Sequence, residues 1–280
     1  MMLTVRSRIS AGIAVVCLVV GLVLTAVLAG SVLASTANTS ASPIRTVLTT
    51  GDAVAPVPSK AKWYSTANVE SCVQSTLYDE RQVGVVGEMR RVKGVKSMQL
   101  KFRLLRQYVG EKEYRRIGGL GLDEWIDVTS EADRSIRHLV ISGVDTQAKY
   151  RVRIDFRWRG KKKVVARRTR FTNACLQNTP SPDLKATSVV KLNTLGVVSN
   201  YQYELTNAGG SEARNVRFLF SVDNDTVVER TVDSMLPGAT VAATISAATC
   251  TVSAALSVDP GKKVWESNET NNVFTLPCTP

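Results

Sequence analysis

The sequence predicts an all-β fold in which two β-sandwiches follow one another along the chain behind an N-terminal helix. Two-residue alternation of apolar and polar or charged side chains recurs in both halves of the 280 residues. Gly, Pro, Asn and Asp clusters separate the alternating runs and are typical of turns between strands. Net charge changes sign at a Pro-containing break near residue 180, which divides the chain into two parts.

The first 34 residues have the pattern of a secretory signal peptide. Arg6 and Arg8 precede an apolar run over residues 11–29, and small residues follow at 31–35. We expect residues 1–34 to be removed after export; the alternative is an uncleaved anchor, which would be the only contact with a membrane. Residues 35–60 are rich in Ser, Thr, Ala and Pro and predict a flexible leader. The protein is therefore expected outside the cell or at its surface.

Cysteine use agrees with export. Apart from Cys17 in the apolar run, the chain has four cysteines, an even number that predicts two disulfides in an oxidising compartment. Four cysteines allow three pairings, and the residues are Cys72, Cys175, Cys250 and Cys278. No C-x-x-C spacing is present, which argues against zinc ribbons and thioredoxin-type chemistry.

Charge divides the chain into a basic and an acidic domain. Residues 60–178 contain 26 Lys and Arg against 13 Asp and Glu, a net +13, whereas residues 179–280 contain 7 against 10, a net −3. We predict a basic domain at 61–177, a linker at 178–182 and a second domain at 183–280. The basic character therefore belongs to the first domain alone.

The strongest strand signal of the first domain covers residues 149–159. Tyr150, Val152, Ile154, Phe156 and Trp158 form an apolar face, and the residues between them are charged. Gly160 and the following lysines predict a hairpin into residues 164–172. Alternation at residues 98–104 predicts a second long strand, and shorter strands are predicted at 81–89, 113–117, 124–128 and 137–142.

The segment Ile141–Asp145 followed by Tyr150 resembles the corner between strands E and F of fibronectin type III domains. In that family a Tyr near the start of strand F donates a hydrogen bond back to the corner. The resemblance covers residues 63–175 and implies a fibronectin-like or Ig-like sandwich.

The second domain shows the same alternation and carries five short motifs that follow one another in a characteristic order. These motifs are Pro182-Asp183-Leu184, Asn207-Ala208-Gly209, Leu236-Pro237-Gly238, Val258-Asp259-Pro260 and Glu266-Ser267-Asn268-Glu269-Thr270-Asn271-Asn272. They resemble the CARDB module, the cell adhesion related domain found in bacteria. The resemblance covers residues 182–280 and implies a seven-stranded Ig-like sandwich on a secreted or surface protein.

With strands assigned in this way, the cysteine pairing can be predicted. Cys250 begins strand F of the second domain and Cys278 ends strand G, so antiparallel pairing brings them within disulfide reach. Cys72 and Cys175 lie at the two ends of the first domain. We predict Cys72–Cys175 and Cys250–Cys278.

A basic sheet face is the main candidate binding site. Lys101 and Arg103 are predicted beside the arginines of the 149–159 strand, with three lysines in the following turn and two more arginines on the next strand flanking them. The full set is Lys101, Arg103, Arg151, Arg153, Arg157, Arg159, Lys161, Lys162, Lys163, Arg168 and Arg170. Such a face attracts polyanions. The alternative is a solvated face that protects the sheet from edge-to-edge association. We expect no aromatic side chain among these charges, and therefore no specific nucleic-acid binding by base stacking.

The last motif of the second domain raises a weaker calcium hypothesis. Its oxygen-bearing side chains, with one upstream aspartate, are Asp259, Glu266, Glu269, Asn271 and Asn272. Their spacing matches no EF-hand loop, and such side chains more often bond the local backbone. We therefore expect a structural role, and no cofactor or metal.

No catalytic residues are predicted, because the chain has a single histidine, His138, inside a predicted strand. The sequence predicts a non-catalytic, adhesion-like binding or structural protein of a prokaryotic cell surface, whose partners are anionic envelope polymers, glycans or other surface proteins. Two alternatives remain: a specific binder of polyanions or envelope polymers, and a secreted hydrolase with an accessory domain.

Overall fold

A computed structural model describes residues 44–51, 63–128 and 133–278. The predicted signal peptide and most of the predicted leader lie outside these residues. The described chain is nearly all β, with one turn of 3₁₀ helix at Tyr78–Glu80. None of its helical segments is long and apolar enough to cross a membrane.

The described part of the first sandwich contains ten strands. They are β1 Arg45–Gly51, β2 Ser65–Val73, β3 Gln82–Arg90, β4 Ser97–Tyr108, β5 Arg115–Ile117, β6 Ile126–Asp127, β7 Arg134–Ser142, β8 Ala148–Arg159, β9 Val164–Phe171 and β10 Cys175–Gln177. Sheet A has the order β1-β7-β3-β2. Sheet B has the order β10-β8-β4-β5, with β6 also paired to β4 and β9 also paired to β8.

The two long central strands of sheet B, β4 and β8, pair antiparallel over their whole length, from Ser97 opposite Arg159 to Tyr108 opposite Ala148. Alternate side chains of both strands point into the core, and the predicted apolar face of β8 is confirmed: Phe156 and Trp158 are fully buried. Their arginine neighbours therefore lie on the outer face of sheet B.

The predicted corner is present before β8. The backbone N–H of Asp145 donates a hydrogen bond to the Tyr150 hydroxyl at 2.8 Å, and Tyr150 is buried. A buried tyrosine thus joins the end of the connection from β7 to the beginning of β8, as in sandwiches of the fibronectin and Ig type.

Part of the predicted leader is a strand. Residues 45–51 form β1, which pairs antiparallel with β7 from Arg45 opposite Ser142 to Gly51 opposite Ile136. Ile44 packs into the first core. The leader prediction is therefore corrected here: a Thr-rich segment without strong alternation forms an edge strand because β7 supplies its hydrogen-bond partners.

The second sandwich contains seven strands: β11 Leu184–Leu195, β12 Val198–Asn207, β13 Ala213–Val222, β14 Asp225–Met235, β15 Thr240–Ala248, β16 Ser253–Val258 and β17 Val273–Pro277. Sheet C has the order β11-β12-β15 and sheet D the order β14-β13-β16-β17. Tyr203 from sheet C packs between Phe218 and Phe220 from sheet D, with ring centroids 5.5 and 5.6 Å away. These aromatic pairs form the centre of the second core.

Both cysteine pairs form disulfides as predicted. Cys72 of β2 joins Cys175 of β10, with Cα atoms 5.5 Å apart, and so connects sheet A to sheet B. Cys250 joins Cys278 with Cα atoms 6.0 Å apart, at the end of the sandwich where Ser253 of β16 pairs with Pro277 of β17.

The two sandwiches belong to one compact unit. The Tyr108 ring of the first stacks on the Trp265 ring of the second, with centroids 3.7 Å apart and planes 8° from parallel. Buried Glu212 accepts a hydrogen bond from the backbone N–H of Tyr78 at 2.8 Å. The Arg214 guanidinium pairs with Asp79 at 3.0 Å. Side chains as well as the linker therefore connect the two sandwiches.

Candidate functional site

The outer face of sheet B is the candidate binding surface, and we call it the basic face. On β8 it presents Arg151, Arg153, Asp155, Arg157 and Arg159 at every second position. In register with them on β4 lie Lys101, opposite Asp155, and Arg103, opposite Arg153. The structure thus brings six predicted cations onto one face.

The centre of the basic face is neutralised by carboxylates. Asp155 is buried and pairs with Arg103 and with Arg153, the latter at 3.0 Å; it also accepts a hydrogen bond from the Thr169 hydroxyl at 2.7 Å. Asp123 pairs with Arg103 at 3.0 Å and with Arg116 at 2.8 Å. These arginines are held by acidic partners, so the centre has little free positive charge.

The end of the basic face near the β8–β9 turn differs from the centre. We call it the basic end, and it contains Lys101, Arg157, Arg159 and Arg167, with Lys161, Lys162 and Lys163 in the turn. Arg157 lies opposite Arg167 on β9, and the three lysines are exposed. Among the described residues, no carboxylate lies within ion-pair distance of any of these seven cations.

Desolvation and neighbouring positive charge both lower the pKa values of two cations at the basic end. Partial desolvation, followed by the charges of Arg159 and Arg167, lowers the pKa of Arg157. Desolvation and then the charge of Arg103 lower the pKa of Lys101, against an opposing effect of Asp155. Like charges held together in this way favour a bound anion.

Aromatic side chains do lie on the basic face, which corrects the expectation that none would. Trp125, just before β6, has the Arg157 guanidinium 3.8 Å and the Lys101 ammonium 4.6 Å from its ring centroid. Arg151 lies 5.4 Å from the Phe171 ring and 5.7 Å from the Tyr114 ring. Trp125 and Tyr114 are far from the 149–159 strand in sequence, so only tertiary contacts reveal them. Phe171 lies on the neighbouring strand β9, opposite Arg153.

Two predicted members of the basic face belong elsewhere. Arg168 and Arg170 lie opposite the inward-facing Phe156 and Ile154. Because β9 is an edge strand, both side chains remain exposed at the rim, and Arg170 donates a hydrogen bond to the Ser65 carbonyl of β2 at 3.2 Å. Arg167, which is absent from the predicted set, takes a place on the basic face.

A one-residue register shift explains this exchange. The pairing of β8 with β9 is regular except between Trp158 and Arg159, where Arg159 pairs with Val164 but Trp158 pairs with Ala166. The bulge at Val165 moves every later side chain of β9 to the opposite face of the sheet. A turn count alone, without the bulge, places the even-numbered arginines outward.

In the candidate calcium loop, several of the side-chain oxygens accept local hydrogen bonds. Asp259 accepts hydrogen bonds from the backbone N–H groups of Lys263 at 3.1 Å and Val264 at 2.8 Å. Glu266 accepts one from the backbone N–H of Leu184 and one from the Asn272 amide at 2.8 Å. Asn271 donates to Asp183 at 2.9 Å. The motif therefore closes the loop onto the beginning of β11.

The remaining carboxylate of this loop, Glu269, lies 3.7 Å from the Lys262 ammonium. In the part of the chain that the structure describes, no group of three or more His, Cys, Asp or Glu side chains is arranged to hold a metal ion.

Burial raises the pKa of Glu266 to about 7, and the charges of Glu269 and Asp259 add to this effect. His138, the only histidine, bonds Glu70 through Nδ1 at 2.7 Å.

The fold and the site together define a β-sandwich protein with one charged sheet face. The CARDB family model matches residues 181–276, about a third of the chain, and this region is the whole of the second sandwich apart from its last strand end. CARDB modules are a non-catalytic, adhesion-related family of the cell surface. The predicted resemblance of the second domain is therefore confirmed.

One similar solved structure is a domain of a putative cell surface protein from Methanosarcina acetivorans, covering residues 272–376 of that protein. It is 24% identical to this chain, with a TM-score of 0.31, and the match covers 36% of this chain and 93% of that domain. A CARDB domain from Pyrococcus furiosus has 21% identity and a TM-score of 0.31 over 36% of this chain and 94% of that one. A DUF4785 family protein from Legionella pneumophila has 12% identity and a TM-score of 0.26 over 79% and 58%. None of the curated proteins compared with the chain matches it.

Proposed function

We propose that this chain is a non-catalytic, adhesion-like binding protein displayed outside a prokaryotic cell, and that the basic face of its first sandwich contacts anionic polymers of the cell envelope. The CARDB module and the two disulfides support a place at the cell surface. The second sandwich acts in this proposal as a structural module that carries the first.

One observation carries the polymer contact: four arginines of β8 lie on the outer face of one sheet, Arg159 exposed and the other three half-buried, and their apolar neighbours are buried beneath them. Strand side chains supported by a packed core keep their spacing when a ligand binds, so the entropic cost of binding is small. Positive charge on one face also speeds the approach of a polyanion at low salt.

A heparin column tests the proposed polymer contact. Replacing Arg151, Arg153, Arg157 and Arg159 by Gln is expected to move elution of the full chain to clearly lower salt, because polyanion binding depends on the number of cations engaged. The matched control removes four exposed charges from the second sandwich, at Lys185, Lys191, Arg230 and Lys263. That variant is expected to elute close to the parent.

Elution of the parent chain at low salt, unchanged in the β8 variant, would overturn the polymer contact. Equal shifts in the two variants would show that the column responds to net charge alone and would overturn it as well. Circular dichroism spectra of both variants verify that the sandwiches remain folded.

A further inference from the structure

We infer that the ligand of the basic end is a ring-free phosphodiester chain of the poly(glycerol phosphate) type, lying along β8 past Arg157 and Arg159. This inference rests on the proposed function and narrows it in two ways. It assigns binding to one end of the basic face, and it assigns the ligand to one class of polymer.

The binding position on the basic face follows from which cations lack an acidic partner. Arg103 and Arg153 are already paired with Asp123 and Asp155, so an anion there must compete with a carboxylate inside the protein. Arg157, Arg159 and Arg167 have no such competitor among the described residues. An anion gains most where it relieves repulsion between cations, and that place is the basic end.

The geometry of Arg157 favours an oxyanion. Its Nε donates to the Gln99 side-chain oxygen at 2.6 Å, and its guanidinium is held against Trp125. The two terminal amino groups therefore remain for a ligand, in the planar arrangement that binds two oxygens of one phosphate. Both contacts also fix the rotamer before a ligand arrives.

The spacing favours a chain with regularly repeated charges. Alternate residues of a strand are about 6.6–6.8 Å apart, so Arg157 and Arg159 repeat at that distance. Arg167 lies directly across from Arg157, at the shorter cross-strand distance of about 4.5–5.5 Å between Cβ atoms. Phosphates of an extended glycerol phosphate chain repeat over a length similar to the spacing along β8.

The aromatic residues argue against ligands made of rings. Bases and sugar rings are usually held by stacking on an aromatic side chain. The Trp125 ring already contacts Arg157 and Lys101, and the rings of Phe171 and Tyr114 contact Arg151. At the basic end Trp125 thus positions two cations, and a polymer recognised by its charge fits that end best; Phe171, which is 48% exposed, lies away from it, opposite Arg153.

Biolayer interferometry with an immobilised synthetic poly(glycerol phosphate) chain tests this inference on the full-length chain. Replacing Arg157, Arg159 and Arg167 by Gln is expected to weaken binding by at least about tenfold. The slope of log affinity against log salt is expected to fall by about two, at roughly 0.7 for each arginine replaced, as for single-stranded phosphate chains. The control variant K185Q/K191Q/R230Q removes the same charge and is expected to bind within about twofold of the parent.

Competition identifies the class of ligand. Free poly(glycerol phosphate) is expected to release the protein from the immobilised polymer. It is expected to do so at a much lower concentration of charged groups than a single-stranded oligonucleotide or a polyuronate requires. Equal or better competition by either ring polymer overturns the inference while the proposed function stands. If the parent chain binds none of the three polymers, both the proposed polymer contact and this inference fail.

Discussion

Glu266 is a buried carboxylate of the second sandwich. Glu266 is 6% exposed and sits where the family motif closes onto β11. Burial raises its pKa to about 7 from the ordinary 4.5. Between these two pH values the folded state holds a proton that the unfolded state has released. Unfolding therefore becomes easier as pH rises from 4.5, and the loss of stability is complete above pH 7.

The free energy of unfolding of the second sandwich is expected to fall by about 1–3 kcal/mol between pH 5 and pH 8 through Glu266. Glu266→Gln cannot ionise and is expected to reduce this pH dependence, whereas Glu204→Gln on the outer face of β12 is expected to keep it. Urea denaturation at pH 5 and pH 8 measures the free energy of unfolding of each variant. Equal pH dependence in the parent and in Glu266→Gln contradicts the prediction.

Asp223 behaves in the opposite sense. It adopts a positive φ of 51° in the β13–β14 turn. Its carboxylate accepts hydrogen bonds from the backbone N–H groups of Thr251, Val252 and Ser253, between 2.7 and 3.1 Å. These bonds lower its pKa to about 2. The stabilisation is present above the ordinary carboxyl pKa and is lost as pH falls through 2, so this turn remains anchored throughout the neutral range.

At the scale of elements, the two disulfides restrain very different lengths of chain. Cys72–Cys175 closes 103 residues and Cys250–Cys278 closes 28. The loop-entropy relation gives about 4.7 kcal/mol for the first and about 3.6 kcal/mol for the second. Cys72→Ala/Cys175→Ala is therefore expected to destabilise its sandwich more than Cys250→Ala/Cys278→Ala destabilises the other.

Differential scanning calorimetry of the two double variants tests this order. Non-reducing peptide mapping of the parent verifies the pairing first. A disulfide between the two sandwiches in that map, or a larger loss of stability for the Cys250/Cys278 variant, contradicts the prediction.

In the molecule as a whole, side-chain contacts limit how far the two sandwiches can move independently. The Tyr108–Trp265 stack and the Glu212 and Arg214 contacts connect them beside the linker. Removal of Trp265 leaves the Tyr108 ring without its stacking partner and exposes the joint to water. A rigid joint would hold the basic face in one orientation relative to the second sandwich.

Trp265→Ala is expected to speed proteolytic cleavage within residues 178–182 several-fold, because opening of the joint exposes the linker. Val252→Ala removes an exposed apolar side chain at the opposite end of the second sandwich, and is expected to leave the rate unchanged. Limited proteolysis followed by mass spectrometry measures both. Equal cleavage rates in Trp265→Ala and the parent would show that the stack does not couple the sandwiches.

Alternation along the chain predicts the central strands of both sandwiches, but it does not predict the outer strands β1 and β2 of sheet A. The apolar face of β8, the corner at Tyr150, the two cysteine pairs and the CARDB region were all deduced from residue order, because each depends on local periodicity or short motifs. Val252 shows the limit: it continues the alternation of β16, yet it precedes the strand and is 64% exposed. Periodicity does not mark where a strand leaves the core.

Residue order is enough to predict that β8 has an apolar face and an arginine face, since strand geometry sends successive side chains to opposite faces. Which of those arginines have an acidic partner depends on how whole strands pack. The bulge at Val165 exchanges Arg168 and Arg170 for Arg167, while Asp123 and Trp125 reach the same surface from a distant segment. Register and long-range contact arise from the packing of whole strands, and no local pattern contains them.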